Sequence, residues 1–274
     1  MKIDALQPYG AKIHGVTAEY IINNIDSIIN LMMQHKILIF KNFSATADEL
    51  VEINRAFGTP IRHAKWRQNA LKTHPEIYVL HNDKTKGQLS PEIWHIDQSF
   101  LQLPPTFSFL YSITVAQVGG TTVFADQSMA YRNLPAELKK RATGKVAAHK
   151  HATDYAMAAV PTKDELEGLG VEGYVYHPLI MPHWVSGENC IYSVYGHIQQ
   201  VLGMDREASD KLLEELRSHA IKDEYVYEHH WEERDFLIWD NISMLHSAKG
   251  TIDSVEEQYS RELWRMNSRH GDIV

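Results

Sequence analysis

Two short stretches, far apart along the chain, carry side chains of the kinds that bind metal ions. The first is Trp94-His95-Ile96-Asp97, and the second runs from Trp239-Asp240-Asn241 to His246. On a strand, residues two apart leave the same face, so His95 and Asp97 could bind one ion if this stretch is extended. Two imidazoles and one carboxylate are the set that holds non-haem Fe(II) on one face and leaves coordination positions open. The sequence therefore predicts a metal site at His95, Asp97 and His246, in a fold that brings the two stretches together.

Length and composition are typical of one globular domain. The chain has 274 residues, of which 44% are hydrophobic, and no repeat or linker divides it, so we expect a single domain over residues 1–274. The formal net charge of -8 argues against a nucleic-acid or membrane surface as partner. One cysteine, Cys190, cannot form an internal disulfide, and we expect it to be buried as a small hydrophobe. Without an evident leader or spanning segment, the expected location is the cytoplasm.

The hydrophobic pattern predicts helices and a strand first, followed by a mostly β region. Apolar residues at helical spacing predict a helix over 20–33, and a second helix is expected from 44 to 57. Further helix or helical turns are expected over 127–141 and 208–220. The segment 151–188, with many Gly and Pro, is the best candidate for a long excursion and for a lid over the site. Strands are expected at 36–40, 77–80, 107–115, 121–125, 191–194, 224–228, 236–240 and 262–266.

Two arginines near the end of the sequence lie four residues apart, in Arg261-Glu262-Leu263-Trp264-Arg265. Positions i and i+4 of a strand share a face, so both guanidinium groups would point into the same space. Two buried cations are unfavourable together unless anions meet them. A guanidinium group matches a carboxylate, sulfonate or phosphate with two parallel hydrogen bonds. Beside a metal site the pair indicates small anionic ligands; the alternative is two surface arginines in a charged tail.

Several motifs follow one another in an order that is specific to one enzyme family. With them, the chain from about Gly10 onward resembles the taurine dioxygenase and 2,4-dichlorophenoxyacetate dioxygenase (TauD/TfdA) family of Fe(II)/2-oxoglutarate-dependent oxygenases. The motifs are Trp94-His95-Ile96-Asp97-Gln98-Ser99-Phe100, Gly119-Gly120-Thr121-Thr122, Ala130-Tyr131-Arg132-Asn133-Leu134-Pro135, Trp239-Asp240-Asn241 to His246, and Arg261 to Arg265.

The resemblance implies a fold, a metal and a cosubstrate. The fold would be mainly β with flanking α-helices, as a double-stranded β-helix (a jelly roll, similar to cupins). The resemblance makes His95, Asp97 and His246 the ligands of Fe(II). Thr122 and Arg261 match the residues that hold the distal carboxylate of 2-oxoglutarate, and O2 is the second cosubstrate. Arg261 is placed by its Arg-Glu-Leu-Trp-Arg context, since the stretch between it and His246 is longer than in these relatives.

The resemblance also implies substrate contacts. Arg265 matches the arginine that receives the acidic group of the prime substrate. His63 matches a substrate-contacting histidine, Trp66 falls where the taurine enzyme has an aromatic residue, and His197 falls at a pocket position near the metal. His63 and His197 could equally be structural histidines, and Trp66 could be only a wall. Pro91 stands where the taurine enzyme has an amide, which puts taurine itself in doubt because proline offers neither a polar side chain nor an N–H.

The predicted function is hydroxylation of a small anionic organic molecule (a carboxylate, sulfonate or phosphonate), with release of succinate and CO2. Three alternatives stay open. The same site could catalyse desaturation or oxidative decarboxylation of an amino-acid-derived intermediate, the protein could be a non-catalytic jelly roll that binds a metal or metabolite, or it could be a cupin-like Mn or Zn enzyme. A homo-oligomer is also left open. The other histidines that look metal-like, His149, His151, His229 and His230, are expected to be solvated.

Overall fold

Strands dominate the structure, and helices flank them. The computed structural model describes residues 1–62, 69–82, 92–150, 174–192, 194–250 and 256–271. The helices are α1 Ala18–Asn23, α2 Ile25–His35, α3 Ala47–Phe57, α4 Gln127–Arg132, α5 Ala136–Ala142 and α6 Arg206–Ala220. The strands are β1 Lys2–Ala5, β2 Ala11–His14, β3 Ile37–Phe40, β4 Thr59–Pro60, β5 Tyr78–Asn82, β6 Phe107–Thr114, β7 Thr121–Asp126, β8 Val146–His149, β9 Val175–Pro178, β10 Ile180–Pro182, β11 Asn189–Ile191, β12 Ile198–Val201, β13 Val226–His229, β14 Phe236–Asp240, β15 Met244–Lys249 and β16 Arg261–Arg269.

The strands form one large sheet and three small ones. The large sheet has eight strands in the order β1-β2-β3-β14-β6-β16-β4, with β5 also pairing with β16. Its neighbours are antiparallel except for β2 and β3, which run parallel. A three-stranded sheet has the order β13-β7-β15, a second has the order β12-β8-β9, and β10 pairs with β11. The predicted class, mainly β with flanking helices, is confirmed.

An apolar cluster lies between the large sheet and the β13-β7-β15 sheet. Trp239 of β14 and Leu263 of β16 contribute to it from the large sheet, and Phe124 of β7 and Met244 of β15 contribute from the other. All four side chains are buried. The rings of Phe124 and Trp239 meet edge to face with centroids 5.4 Å apart. The two sheets therefore face each other, and side chains at the margin of this cluster are available to build a site between them.

The opposite face of the large sheet is covered by the first three helices. The apolar pattern over 20–33 predicts one helix, but the structure has two, α1 and α2, because the backbone leaves helical geometry at Asn24 (φ -126°). The Asn24 side chain donates to the carbonyl of Tyr20 at 2.8 Å, so it ends the first helix locally. The prediction of α3 is confirmed, with Thr46 and Glu49 forming a capping box.

Some predicted strands are confirmed and other strands were not predicted. The prediction succeeded for the long apolar runs, including β6, β7 and β14, each of which is buried. It missed β8, β12 and β15, which are short or carry polar residues.

The segment 151–188 was predicted to be an excursion. Residues 151–173 lie outside the described residues, and the remainder contains strands, since β9 pairs with β8 and β10 pairs with β11. That the segment forms a lid stays a prediction. Cys190 is fully buried, as predicted. In the described part of the chain, no helix has the length and apolar character needed to cross a membrane.

Candidate active site

The three predicted metal-binding residues meet between the two sheets. One ligand atom from each of His95, Asp97 and His246 lies within 4.8 Å of the others. His95 and His246 form an isolated β-bridge, in which each backbone N–H donates to the other's carbonyl at 2.9 and 3.0 Å. This bridge joins the two sequence stretches and aligns the two imidazoles, whose centroids are 4.3 Å apart.

The expectation that His95 and Asp97 lie on one regular strand is wrong. His95 takes part only in the isolated bridge, and Asp97 begins a turn in which Gln98 has a positive φ of 50°. The Asn241 side chain stands in for a neighbouring strand: its Oδ1 accepts from the Asp97 N–H at 2.9 Å, and its Nδ2 donates to the Asp97 carbonyl at 3.1 Å. The turn is thus held by a side chain rather than by a strand ladder.

Asp97 is oriented by polar side chains of the large sheet. Its Oδ2 accepts from Ser108 Oγ at 2.6 Å and from Asn267 Nδ2 at 2.9 Å, and both residues face inward from paired positions on β6 and β16. Its Oδ1 faces His95 Nε2 at 3.4 Å and His246 Nε2 at 3.2 Å. One carboxylate oxygen is therefore fixed by the fold, and the other is directed to the position a metal ion would take.

The electrostatics of the three groups suit a metal site. Burial alone would raise the pKa of Asp97, but the charge of Arg265 and the hydrogen bond with His246 hold that pKa well below its usual range. Burial, together with the nearby His95, lowers the pKa of His246 to about 4, so this imidazole is neutral at pH 7 and keeps a lone pair for a metal. His95 Nδ1 lies 2.7 Å from the carbonyl of Ile93, which leaves Nε2 as the ligand atom.

Thr122 lies on the same side of the β13-β7-β15 sheet as His246. In the pairing of β7 with β15, Phe124 is opposite His246 and Thr122 is opposite Ala248, so the two side chains share a face. Thr122 is 5% exposed, and its Oγ1 accepts a hydrogen bond from Trp231 Nε1 at 3.0 Å. The structure therefore places a buried hydroxyl two residue positions along the sheet from a metal-site histidine.

Arg261 lies on the inner face of β16 and crosses to the other sheet. Its side chain is buried, and Nη1 donates to the carbonyl of Gly120 at 3.1 Å. Burial lowers the pKa of Arg261 to about 10, so the group stays a cation at neutral pH. Gly120 has a φ of +67°, which L side chains rarely adopt, and a Cβ there would lie 3.2 Å from Ala116 Cβ, so this position favours glycine.

Arg265 lies on the same face of β16 as Arg261, four residues further along, as the sequence predicts for two arginines on one strand. Its Nη2 contacts Asp97 Oδ1, and its side chain is 15% exposed. The guanidinium group therefore lies beside the metal-site carboxylate and is more open to solvent than that of Arg261. The alternative of two arginines in a charged surface tail is wrong, since β16 is paired on both sides.

Of the other three residues predicted to contact the substrate, the structure describes one. His63 and Trp66, like Pro91, lie outside the described residues. His197 is near the metal site: its ring meets the Phe100 ring edge to face at 4.7 Å. The preceding Gly196 lies so close to His95 that a Cβ would come within 2.9 Å of His95 Cβ.

Two histidines that were predicted to be solvated are buried instead. His149 and His229 lie on inward-facing positions of β8 and β13, two strands with too little apolar periodicity to reveal a buried face. His229 Nε2 lies 3.0 Å from Asp235 Oδ2. His230 is exposed, as expected, and His151 lies outside the described residues.

Three residues at the site were not singled out by sequence reasoning: Ser108, Asn267 and Trp231. Ser108 interrupts the apolar run Phe107-Ser108-Phe109, and a polar residue inside a buried strand is a signal that could have been used. Asn267 is two residues beyond Arg265, on the same strand face. Trp231 follows β13 and gives no local signal, because its contact with Thr122 depends on the pairing of β13 with β7.

Comparison with known proteins gives one consistent family. Residues 2–267 match the family model described as "Taurine catabolism dioxygenase TauD, TfdA family". An α-ketoglutarate-dependent sulfate ester dioxygenase of Pseudomonas putida is 29% identical over 253 residues, which cover 87% of this chain and 80% of that protein. An α-ketoglutarate-dependent 2,4-dichlorophenoxyacetate dioxygenase of Cupriavidus pinatubonensis is 26% identical and covers 82% of this chain and 83% of its own.

A solved structure shares the fold over the whole chain. The structure of AAD-2 in complex with Mn(II) and N-oxalylglycine has a TM-score of 0.80 and is 22% identical. The match covers 100% of this chain and 99% of that chain. The architecture described above is therefore that of a known fold.

Proposed function

Since the chain belongs to the TauD/TfdA family of Fe(II)- and 2-oxoglutarate-dependent dioxygenases, we propose that it hydroxylates a small anionic organic molecule at an iron ion held by His95, Asp97 and His246. The observation that carries this proposal is the orientation of the Asp97 carboxylate. Its Oδ2 is held by Ser108 and Asn267, and its Oδ1 faces both imidazoles. Two histidines and one carboxylate on one side of an ion are the ligand set of non-haem Fe(II) oxygenases.

Iron with 2-oxoglutarate and O2 supplies the oxidising chemistry, in which a C–H bond of the substrate is hydroxylated and succinate and CO2 are released. The protein's own part is to hold the ligands, position both organic molecules and keep water away. Trp239 supports this part, because its ring lies 4.9 Å from that of His246 and is buried. An apolar wall on that side fixes the imidazole and limits access of water.

We place the distal carboxylate of 2-oxoglutarate at Thr122 and Arg261. Support comes from chemistry and position: a buried hydroxyl and a buried guanidinium come from opposite sheets, and Arg261 reaches Gly120, two residues before Thr122. A guanidinium ion with a hydroxyl beside it suits a carboxylate.

We assign the acidic group of the prime substrate to Arg265. The guanidinium group contacts Asp97 Oδ1, the oxygen that a metal ion would engage, so metal binding would compete for this contact and release Arg265 toward a substrate anion. The relatives named for sulfate esters and for 2,4-dichlorophenoxyacetate act on molecules with such an anionic group. His197 is proposed as a pocket residue beside Phe100, and His63 and Trp66 are proposed to complete the pocket.

We also infer that residues 1–274 form one domain with a double-stranded β-helix at its centre. Support comes from the two facing sheets, which share one apolar cluster, and from the His95–His246 bridge that joins their ends. Each half of the proposed site would be incomplete without the other sheet.

A substrate panel tests the proposed function. Iron-loaded protein with 2-oxoglutarate and O2 would be incubated with alkyl sulfate esters, sulfonates, carboxylates and phosphonates, and succinate would be measured. We expect succinate formation that depends on one anionic class, with a product that gains one oxygen atom or a fragment derived from it. A product that has lost two hydrogens would favour desaturation, and loss of CO2 from the prime substrate would favour oxidative decarboxylation. Binding of iron and 2-oxoglutarate without turnover of any class would favour a non-catalytic binding protein.

A further inference from the structure

We propose that Trp231 is a positioning residue that fixes the direction of the Thr122 hydroxyl, so that this hydroxyl donates to the distal carboxylate of 2-oxoglutarate. The inference rests on the proposed function, which places that carboxylate at Thr122 and Arg261. Trp231 would not contact the carboxylate itself. Its role follows from the protons that the indole N–H and the Thr122 hydroxyl can donate.

Trp231 and Thr122 are joined by a side-chain hydrogen bond. Indole Nε1–H can only donate, and it points to Thr122 Oγ1 at 3.0 Å. A threonine hydroxyl has a single proton and can accept through its lone pairs. Since one lone pair of Oγ1 is engaged by Trp231, the hydroxyl proton must point in another direction. Among the described residues, the hydrogen bonds of the Thr122 hydroxyl include this one as acceptor and none as donor.

The Thr122 side chain faces the space of the proposed site. Thr122 shares its sheet face with His246, and its neighbour Gly120 receives the Arg261 guanidinium. A ligand with an acceptor oxygen in this space could accept from the Thr122 hydroxyl, whose proton is directed away from Trp231, and would lie beside the Arg261 cation. A carboxylate is such a ligand.

Neighbouring residues hold Trp231 in place. Its ring meets the His229 ring at 90° with centroids 4.7 Å apart, and His229 is the register partner of Thr122 in the neighbouring strand. Asp235 holds this region by accepting from the Glu232 N–H at 3.0 Å and by pairing with His229 at 3.0 Å and Lys41 at 2.6 Å. The indole N–H is therefore kept at one position relative to β7, as a positioning residue requires.

The test compares two keto acids. Binding of 2-oxoglutarate and of 2-oxobutanoate, which lacks the distal carboxylate, is titrated anaerobically through the visible band of the iron–keto acid complex in the Fe(II)-loaded protein. In Trp231→Phe, which keeps a ring and removes the N–H, we expect 2-oxoglutarate to bind about three- to tenfold more weakly, the range of one neutral hydrogen bond. Binding of 2-oxobutanoate should be unchanged.

Two further variants separate positioning from general damage. In Thr122→Val the acceptor is absent, so the double variant Thr122→Val/Trp231→Phe should bind 2-oxoglutarate no more weakly than Thr122→Val alone. The matched control is Trp264→Phe, which loses an indole donor to Glu262 Oε1 at 2.8 Å on the same strand as Arg261. This control should bind both keto acids as the unaltered protein does.

Equal weakening for both keto acids, additive effects in the double variant, or unchanged 2-oxoglutarate binding in Trp231→Phe would each overturn the role of Trp231. The absence of any band in the unaltered, iron-loaded protein would instead overturn the proposed function. If Trp231→Phe does not fold, replacing Trp231 with its benzothienyl analogue removes the N–H and retains the ring shape, and the same outcomes apply.

Discussion

The two ends of the proposed site are built in different ways. At the metal end, Asp97 is fixed by hydrogen bonds from Ser108, Asn267 and Asn241, and His95 is bridged to His246 through the backbone. At the carboxylate end, a single hydroxyl at Thr122 and a guanidinium at Arg261 come from opposite sheets. At the metal end the described contacts restrain the ligand side chains themselves, whereas the two groups of the proposed carboxylate end are donors that would act directly on a bound anion.

This difference has a physical reason. A metal ion requires several ligand atoms at fixed short distances, so the protein must restrain each ligand before the ion arrives. A carboxylate accepts hydrogen bonds over a broader range of directions and requires charge more than a fixed set of distances. The two ends should therefore respond differently to substitution.

The largest effect is expected at the metal end, from Asp97→Ala. The substitution removes the only anionic ligand of the proposed triad and leaves Arg265 beside a cavity, so iron binding and 2-oxoglutarate-dependent turnover should both fall to background. Iron content after desalting and succinate release measure the two effects. Asp205→Asn, at the N-cap of α6 and away from the site, is the control and should retain both. Retained stoichiometric iron in Asp97→Ala would contradict the assignment of the metal end.

The two arginines of β16 should affect the binding of different ligands, Arg261 that of 2-oxoglutarate and Arg265 that of the prime substrate. Loss of a charge-assisted contact typically costs a few kcal/mol, so Arg261→Ala should weaken 2-oxoglutarate binding about 100-fold. Arg265→Ala should raise the KM of the anionic prime substrate by a similar factor and spare 2-oxoglutarate. Anaerobic titration and steady-state kinetics measure the two effects. If Arg265→Ala instead abolishes 2-oxoglutarate binding, the two assignments are reversed.

An intermediate effect is expected from the residues that hold Asp97. Ser108→Ala and Asn267→Ala remove hydrogen bonds to the carboxylate oxygen that faces away from the metal position, and such outer contacts are typically worth 10- to 100-fold in metal affinity. The measurement is competition for Fe(II) with a chelator of known affinity. Ser209→Ala also removes a buried serine hydroxyl, one that accepts from the Val201 N–H, and should alter stability without changing iron affinity. Equal iron affinity in all three variants would show that the metal end does not depend on its surrounding contacts.

The smallest effect is expected from Gly120→Ala. Gly120 and Gly144 both have positive φ, +67° and +75°, so alanine at either costs about 1–2 kcal/mol of stability. Only at Gly120 would the new Cβ be crowded, at 3.2 Å from Ala116 Cβ, and only there does the backbone carbonyl accept from Arg261, whereas at Gly144 no atom lies within 4 Å. Thermal unfolding should report a similar loss in both variants, and 2-oxoglutarate binding should weaken about two- to threefold in Gly120→Ala alone, a fraction of one hydrogen bond. Weaker 2-oxoglutarate binding in Gly144→Ala as well would show that the effect comes from a general loss of stability.

The sequence predicted which groups of the proposed site the fold brings together, but it did not predict the contacts that hold them. His95, Asp97 and His246 could be chosen because few residue types bind iron and because the motifs carry them in a specific order. The shared face of Arg261 and Arg265 could be predicted because strand alternation is a local property. The predicted strand at His95–Asp97 was wrong, because a side chain, Asn241, replaces the strand partner there.

The supporting residues could not be predicted for a related reason. Asn267 reaches Asp97 across 170 positions of sequence, and Trp231 reaches Thr122 across 109. Such contacts depend on which strands become neighbours, and the hydrophobic pattern of a single sequence does not reveal that order. β15, the strand of His246, was missed because its apolar positions are too few to give a strand pattern.

An anaerobic titration of the iron-loaded protein with 2-oxoglutarate, followed through the weak visible band of the chelated keto acid, tests whether the two ends form one site. We expect a band that requires Fe(II), is absent in His95→Ala and appears only at much higher 2-oxoglutarate concentration in Arg261→Ala. A folded, iron-loaded protein that gives no band, or a band that persists unchanged in both variants, would contradict this expectation.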